Sequence, residues 1–204
     1  MNRVDTKARQ IHGRNPQFLI EDITRKKIQG CLYWKEQCFA LDAASIIDRA
    51  VDLTYYGGLF GGTMQPTPFL CLVLKLLQIQ PDLETTLAYV RDESSKYLRI
   101  LGAFYLRLTG APMDIYQNLE PLLADYRKLK CRNIVDCSLT HVDEFIDDLL
   151  TKERVCDVIL PRLPKRWALE KTEGLQPRVS PLEMMMDSDD SSSEETSDSS
   201  ESDS

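Results

Sequence analysis

One stretch of the chain is apolar on nearly every side of a helical wheel. Residues 68–79, PFLCLVLKLLQI, include only Lys75 and Gln78 as clearly polar side chains. A helix that is apolar all round is either buried in a core or spans a membrane, and spanning needs about 20 residues. This run is shorter, so we predict a central buried helix with other elements packed around it. Thr67 is a suitable N-cap, and Pro81 ends the helix.

A glycine-rich segment, GGLFGG at 57–62, precedes this helix. Its four glycines allow tight turns with positive φ. The spacing is not GxGxxG and no Lys-Ser/Thr follows, so the segment does not fit a phosphate-binding loop. We predict a structured loop that carries Leu59 and Phe60 onto the core. The alternative is a loop that binds another protein.

Helix signals recur on both sides of this segment, most of them opened by a capping residue or a proline. We predict helices from Pro16 to Gly30, from Ala43 to Leu53 after Asp42, after Asp82, after Ser94 or Ser95, from Pro112 to about Tyr126, from 142 to 150 and from 165 to 171. Gly102 lies inside one of these helices and indicates close approach of another helix. Pro121 is expected to kink or split the helix that contains it.

The pattern changes after Tyr126. Residues 127–141 alternate weakly, and Asn133 to Asp136 can form a turn, so we predict a β-hairpin. The predicted fold class is mainly α: a single compact multi-helix domain around a buried central helix, with one candidate small β-hairpin and a disordered acidic C-terminal tail. We place the domain at 1–182 and the tail at 183–204.

The last 22 residues, 183–204, differ in composition from the rest. They hold nine Asp or Glu and no Lys or Arg, so the remainder of a chain of net charge −7 carries +2. That near-neutral body gives no broad electrostatic footprint for nucleic acid. A segment of Ser, Asp and Glu buries too little apolar area to offset chain entropy, and we expect disorder. Ser191, Ser192 and Ser200 each precede an acid by three residues and are candidate phosphorylation sites.

The six cysteines form no CxxC pair, and the spacings of Cys31/Cys38 and Cys131/Cys137 fit no zinc site. With His12 and the other histidine as the only further nitrogen ligands, we predict no metal and no cofactor. The first ten residues, MNRVDTKARQ, lack the apolar core of a secretory signal. We therefore expect reduced thiols in the cytosol or nucleus rather than a disulfide framework.

Three groups of side chains are candidates for function. Aromatic residues beside the glycines, and a basic segment that contains a tryptophan, are candidate partner-binding anchors, because Trp, Tyr and Arg dominate interface hot spots. The first group is Tyr55, Tyr56 and Phe60; the second is Arg162, Lys165, Arg166 and Trp167. The basic hairpin residues Arg127, Lys128, Lys130 and Arg132 are candidate RNA-backbone contacts. A core position for Trp167 is the alternative to an exposed one.

His141 stands beside four acids, Asp143, Glu144, Asp147 and Asp148. A hydrolase that used His141 with these acids would also need a nucleophile motif, and none accompanies it. A solvated helix face with a histidine near its start is the simpler interpretation.

Long segments of the sequence resemble one known family. They include IHGRNPQFLIEDITRKKI (11–28), YYGGLFGGTMQPTPFLCLVLKLLQIQP (55–81), KYLRILGAFYLRLTG (96–110), HVDEFIDDLL (141–150) and ERVCDVILPRLPKRW (153–167). Together they resemble the pre-mRNA-splicing factor 38 family in its spliceosomal A-type form. The resemblance runs from residue 11 to about 182.

The resemblance implies a non-enzymatic, mainly α-helical nuclear protein that joins the spliceosome with the tri-snRNP and is needed for its activation. It implies a microfibrillar-associated splicing factor, a zinc-finger splicing factor and tri-snRNP components as partners, with peripheral contact to snRNA or pre-mRNA as a further expectation. We expect a monomer within a large complex and no membrane partner. Some family members carry a long Arg/Ser-rich tail, whereas the tail here is acidic, which leaves tail-mediated contacts open.

Three functions therefore compete. The first is a protein-interaction scaffold in splicing, and the second is a direct RNA-binding module that uses Arg127–Arg132. The third is a hydrolase that uses His141. Salt-dependent RNA binding would favour the second, and substrate turnover coupled to titration of His141 would favour the third.

Overall fold

The computed structural model describes residues 9–11 and 13–178. These residues fall into two compact units, one that ends at Pro164 and one that begins at Lys165. His12, the predicted tail and its three candidate phosphorylation sites lie outside the described residues. The prediction of a mainly α fold is confirmed, since helices are the principal elements of the described chain.

The helices of the first unit are α1 (Asp22–Gly30), α2 (Leu32–Glu36), α3 (Ser45–Val51), α4 (Pro68–Ile79), α5 (Leu83–Arg91), α6 (Lys96–Thr109), α7 (Pro112–Leu119) and α8 (Val142–Thr151), with 3₁₀ turns at Pro16–Leu19 and Glu120–Ala124. The second unit contains α9 (Arg166–Thr172). The strands are β1 (Tyr56–Gly57), β2 (Leu59–Phe60), β3 (Gln65–Pro66), β4 (Lys128–Arg132), β5 (Cys137–His141), β6 (Arg154–Val155) and β7 (Val158–Ile159).

Helix α4 is the predicted buried helix. Every residue from 69 to 77 is buried, including Lys75, whose ammonium lies 6.0 Å from the centroid of the Trp34 ring. The Thr67 hydroxyl caps the helix by accepting the Leu70 N–H at 3.2 Å. Gln80, in the left-handed conformation at φ 52°, ends it. None of the described helices combines the length and the hydropathy that crossing a bilayer requires.

An aromatic cluster joins α4 to α6 and α8. The Phe69 ring centroid lies 5.7 Å from that of Phe104 and 6.4 Å from that of Phe145. Edge-to-face pairs of this kind add about 0.5–1.5 kcal/mol each beyond the area that they bury. Helix α5 packs on α6 at Gly102, where an added Cβ would lie 2.7 Å from the Cβ of Tyr89. The predicted close approach of another helix at Gly102 is therefore confirmed.

Two predicted helices are each divided into two elements. The segment after Asn15 forms the first 3₁₀ turn and then α1, because Ile20 between them is extended at ψ 130° and buries its side chain. The segment after Pro112 ends α7 at Leu119 and continues as the second 3₁₀ turn. Pro121 causes this change, since proline lacks an N–H for the helical ladder.

The predicted hairpin is present, and it is part of a larger sheet. Strands β4 and β5 pair antiparallel from Lys128↔His141 to Arg132↔Cys137. Strand β1 adds to β4 in parallel, with Tyr56 opposite Cys131. Two further antiparallel pairs, β2–β3 and β6–β7, consist of two-residue strands. A strand of two residues is too short to show an alternation of apolar and polar side chains, so the sequence predicted only the longer β4–β5 hairpin.

Candidate functional site

The glycine-rich segment brings the chain unusually close to its neighbours. An added Cβ on Gly57 would lie 2.2 Å from the carbonyl oxygen of Arg132, and one on Gly58 would lie 2.2 Å from Oδ2 of Asp157. The same Asp157 oxygen accepts the Leu59 N–H at 2.7 Å. The first two glycines therefore let β1 and β2 lie against β4 and the β6–β7 turn.

The far end of the loop is fixed as well. The Gly61 N–H donates to the carbonyl oxygen of Ile134 at 3.0 Å, which ties the loop to the hairpin turn. The prediction of a structured loop is confirmed, and Leu59 is buried in the core as expected. Phe60 is only half-buried, because it packs beside Arg132 on the outside of the sheet.

Tyr55, Phe60 and Arg132 form a group that we name the aromatic–arginine cluster. The two rings meet edge to face, with centroids 6.5 Å apart at 81°. The Arg132 guanidinium carbon lies 4.6 Å from the Phe60 centroid and 5.8 Å from the Tyr55 centroid. No carboxylate of the described residues lies within ion-pairing distance of Arg132. The cluster therefore presents an uncompensated cation held between two rings.

The prediction that Tyr56 is an exposed anchor is wrong. Its side chain is only 6% exposed, and its ring centroid lies 4.8 Å from that of Phe145. The Tyr56 hydroxyl and Oγ1 of Thr140 are hydrogen-bonded at 3.0 Å. Successive side chains on a strand point to opposite faces, so the pairing of β1 with β4 turns Tyr56 inward and leaves Tyr55 outside.

The outward side of β4 and β5, which we name the hairpin face, is basic. Because directly opposite residues of antiparallel strands share a face, one side carries a set of six residues. They are Lys128, Lys130, Arg132, Cys137, Leu139 and His141. The hairpin face also offers apolar surface, since Leu139 is 63% exposed and Val135, at the turn, is 87% exposed. Three of the four predicted RNA contacts therefore lie side by side.

Arg127, the fourth predicted RNA contact, has a different environment. Its Nε and Nη2 donate to the Asp125 carboxylate at 2.9 and 2.7 Å, and its Nη1 donates to the Glu93 carbonyl at 2.7 Å. Arg99 donates to the same carboxylate at 2.7 Å. Burial raises the pKa of Asp125, but the hydrogen bonds from Arg127 and Arg99 outweigh it and lower the pKa to about 2. The charge of Arg127 is thus compensated within the fold.

The second predicted anchor group is divided between the two units. Arg162 is exposed in the first unit. In the second unit, Arg166 pairs with the Glu170 carboxylate and also donates to the Gln176 carbonyl at 2.6 Å. Trp167 is 58% exposed, so the alternative of a core tryptophan is wrong.

Exposed cations accompany this tryptophan. Lys165 precedes the first turn of α9 and is exposed. The Lys171 ammonium lies 5.3 Å from the centroid of the Trp167 ring. We did not single out Lys171 from the sequence, although its i, i+4 spacing on a helix could have identified it.

His141 belongs to the start of α8. Its backbone N–H donates to the Glu144 carboxylate at 3.1 Å, and its Nδ1 lies 3.6 Å from the same carboxylate. This arrangement is one half of a capping box. Across residues 9–11 and 13–178, no group of three or more His, Cys, Asp or Glu side chains is placed to hold a metal ion.

A cleft of about 440 Å³ lies beside the aromatic–arginine cluster. The hairpin turn and the β6–β7 turn form its sides, with Arg132, Lys152 and Arg154 among its cations and Asp148 and Asp157 among its anions. Lys152 and Arg154 could not be predicted as part of this surface, because only the fold brings them beside the hairpin. The assembled surface combines cations, aromatic rings and exposed apolar side chains. Surfaces of this kind bind protein segments or single-stranded nucleic acid.

Known proteins share both the sequence and the fold. Residues 9–173 match the model of the PRP38 family. Pre-mRNA-splicing factor 38A of Xenopus tropicalis is 55% identical over 194 residues, which cover 95% of this chain and 62% of that protein. The human protein of the same name is 54% identical over 187 residues, covering 91% of this chain and 60% of that protein. The chain thus spans about 60% of the length of these curated relatives.

A solved structure is similar over most of the chain. It is the crystal structure of the Snu23-Prp38-MFAP1(217-258) complex of Chaetomium thermophilum. The matching protein is 44% identical with a TM-score of 0.81, and the alignment covers 88% of this chain and 96% of that chain. From the extent of these matches, the chain belongs to the PRP38 family of pre-mRNA-splicing factors.

Proposed function

We propose that this chain is a non-enzymatic component of the spliceosome that acts as a protein-interaction scaffold in pre-mRNA splicing. In this proposal it works in the nucleus, joins with the tri-snRNP and is required for spliceosome activation. The observation that carries the scaffold role is the similarity to a protein solved in complex with two others, which extends over 88% of this chain. Because the chain spans only part of its curated relatives, their roles are proposals for it.

The partners that we propose are counterparts of Snu23 and of MFAP1 residues 217–258. They agree in kind with the zinc-finger and microfibrillar-associated splicing factors that the family resemblance implies. We propose that one of them contacts the aromatic–arginine cluster. Aromatic rings and arginine supply most hot spots at interfaces, and rings on a fixed loop lose little entropy on binding. The glycine contacts described above hold this loop in place.

The test is calorimetry with the purified chain and the two counterpart proteins. We expect Phe60→Ala or Arg132→Ala to weaken binding of one partner by at least tenfold, which is about 1.4 kcal/mol. Phe18→Ala is the matched control, since Phe18 is an exposed phenylalanine that, like Phe60, has an arginine beside its ring, with Arg25 4.7 Å from the centroid. Circular dichroism first establishes that each variant is folded.

The outcome separates the two predicted surfaces. If Phe60→Ala and Arg132→Ala both bind normally, the cluster is not a docking site. Trp167→Ala then tests the second unit, with Lys171→Ala as its companion because Lys171 lies over the same ring. If neither partner binds the parent chain at all, the scaffold proposal itself is contradicted.

A second candidate function is direct RNA binding by the hairpin face. The observation that favours it is the alignment of Lys128, Lys130 and Arg132 on one face beside two rings. Single-stranded nucleic acid is bound by this combination of cations that follow the backbone and rings that stack on bases. Arg127 is the weakest of the four predicted contacts, since Asp125 already compensates its charge.

Salt dependence distinguishes this function from protein docking. Each phosphate contact on single-stranded RNA contributes about −0.7 to the slope of log K against log salt. We expect Lys128→Ala and Lys130→Ala each to reduce the slope by about that amount if the face binds RNA. If the parent chain and both variants bind RNA weakly and with the same dependence of log K on log salt, the hairpin face does not contact the RNA.

A further inference from the structure

Two cysteines that are 40 residues apart in the sequence lie side by side in the first unit. The Sγ atoms of Cys31 and Cys71 are 3.7 Å apart. Cys31 connects the end of α1 to the start of α2 and is partly exposed, whereas Cys71 is fully buried in α4. All six cysteines, which lie in the described part of the chain, are free thiols. The pair is therefore reduced, close and accessible from one side only.

The hydrogen bonds around the pair make its two sulfurs unequal. Cys31 Sγ accepts the Trp34 N–H at 3.4 Å, and the Cys71 thiol is placed to donate to the same sulfur. The bond from Cys71, with help from the Trp34 N–H, lowers the pKa of Cys31 to about 6 in spite of burial. The same bond, together with burial, raises the pKa of Cys71 above its ordinary value. The hydrogen bond therefore favours the thiolate form at Cys31 and the thiol form at Cys71.

A third cysteine nearby does not compete for this role. Cys38 is fully buried, and burial raises the pKa of its thiol to about 12. Reactivity toward oxidants follows thiolate character and access to solvent. Only Cys31 combines the two within this group.

We propose that Cys31 and Cys71 form a reversible redox site, in which Cys31 reacts with a hydroperoxide and Cys71 converts the product to a disulfide. With hydrogen peroxide as the oxidant, the Cys31 thiolate attacks one peroxide oxygen, the O–O bond breaks, and the departing hydroxide takes up a proton and leaves as water. Sulfur loses two electrons to the peroxide and becomes a sulfenic acid. Cys71 sulfur then attacks Cys31 sulfur, its proton leaves with the hydroxyl as a second water, and the S–S bond forms.

The geometry around the pair permits this closure. A disulfide bond is about 2.05 Å long, so the sulfurs must approach by roughly 1.7 Å. Cys71 lies in the buried helix α4, while Cys31 follows Gly30 in the junction between two short helices. Apart from its chain neighbours and the backbone of its own helix, no described atom lies within 4 Å of an added Cβ on Gly30, so open space adjoins the residue that precedes Cys31. A dithiol reductant reverses the step by becoming a disulfide itself.

The test treats the reduced full chain with hydrogen peroxide and maps its cysteines by mass spectrometry. We expect a Cys31–Cys71 linked peptide lighter by two hydrogen atoms, which is lost again on treatment with dithiothreitol. In Cys71→Ser the resolving sulfur is absent, so Cys31 is expected to accumulate as a sulfenic acid that dimedone traps. In Cys31→Ser neither product forms. Cys137→Ser, which removes an exposed cysteine elsewhere, is the matched control and is expected to behave as the parent chain.

A second measurement does not depend on these variants folding. In the parent chain, we expect iodoacetamide to label Cys31 faster than Cys137 at pH 6.5, although Cys137 is the more exposed. Slower labelling of Cys31, or linkage that maps to other cysteines while the chain remains folded, overturns the proposal. If Cys71→Ser does not fold, Cys71→Ala replaces it, and the parent mapping stands by itself.

Discussion

At the scale of single residues, two glycines of the loop between α3 and α4 differ in their surroundings. Gly58 faces the β6–β7 turn, where an added Cβ would lie 2.6 Å from the carbonyl carbon of Cys156. Gly62, four residues on, faces open space, with no described atom other than those of its chain neighbours within 4 Å of an added Cβ. The same residue type therefore has two different roles in one short loop.

We predict that Gly58→Ala destabilises the chain by about 1–3 kcal/mol, because the backbone of Cys156 must move to admit the methyl group. Gly62→Ala is the matched control. It is expected to be neutral or stabilising by up to about 1 kcal/mol, since alanine restricts the unfolded chain. Urea unfolding of both variants measures the difference, and equal stabilities would contradict the close approach at Gly58.

Asp125 is the second residue whose environment has a measurable consequence. Its carboxylate accepts hydrogen bonds from Arg99 and Arg127. Its backbone carbonyl accepts the Asp143 N–H at 3.0 Å, which connects Asp125 to the start of α8. The folded pKa of about 2 lies below the ordinary value of 3.8. A carboxyl with a lowered folded pKa stabilises the fold above its unfolded pKa and loses this contribution as pH falls through the folded one.

We therefore predict that the free energy of unfolding falls between about pH 4 and pH 2, and that Asp125→Asn makes this fall less steep. The variant is also expected to be less stable at pH 7, where the parent carboxylate is ionised and bonded to both arginines. Asp147→Asn, at an exposed site on α8, is the control. A variant whose stability keeps the parent slope across this range would show that Asp125 does not titrate with the fold.

At the scale of elements, α4 holds the first unit together. Leu74 lies in the middle of it with no exposed surface. We predict that Leu74→Ala costs about 2–5 kcal/mol, the sum of lost transfer energy and the cavity that remains. Leu83→Ala, at a half-exposed leucine in α5, is the control and is expected to cost much less. A change under about 0.5 kcal/mol at Leu74, as at ordinary surface sites, would contradict the central position of α4.

Elements with strong local signals could be predicted from the sequence. The caps Thr67, Asp82 and Ser95 each accept a backbone N–H at the helix start where they were expected. Pro121 ends α7 because proline has no N–H, and Gly102 lets α5 pack closely because glycine has no side chain. Each effect concerns one residue and its immediate environment. Local chemistry of this kind can be read without knowledge of the fold.

Contacts between distant segments could not be predicted in this way. The parallel pairing of β1 with β4 joins Tyr56 to Cys131, and no local pattern specifies a register between two-residue strands. Tyr55 and Tyr56 look equivalent in the sequence, yet this register exposes one partly and buries the other. The stacking of Arg132 on Phe60 depends on the same pairing. The candidate site is thus less predictable than the helices that support it.

At the scale of the whole molecule, charge is distributed unevenly along the chain. Residues 183–204 carry nine acids and no base, and the rest carries a formal charge of +2. These residues lie outside the described part of the structure. Their composition alone, rich in Ser, Asp and Glu, predicts that they bury little apolar surface and add little to the stability of the body.

We predict that removing residues 183–204 leaves the thermal midpoint of the body unchanged. Charges beyond about 8–10 Å are screened at physiological ionic strength, so the acidic segment is expected to act on the body only through direct contact. A loss of more than about 1 kcal/mol, which is a large fraction of marginal stability, would show that the segment docks.

A second variant adds charge to the segment instead of removing it. It carries Ser191→Asp, Ser192→Asp and Ser200→Asp, which imitate phosphorylation, although each phosphate would add roughly 1.5–2 negative charges. Its midpoint is also expected to equal that of the parent chain at both low and high salt, and a shift confined to low salt would locate an electrostatic contact between the segment and a basic surface.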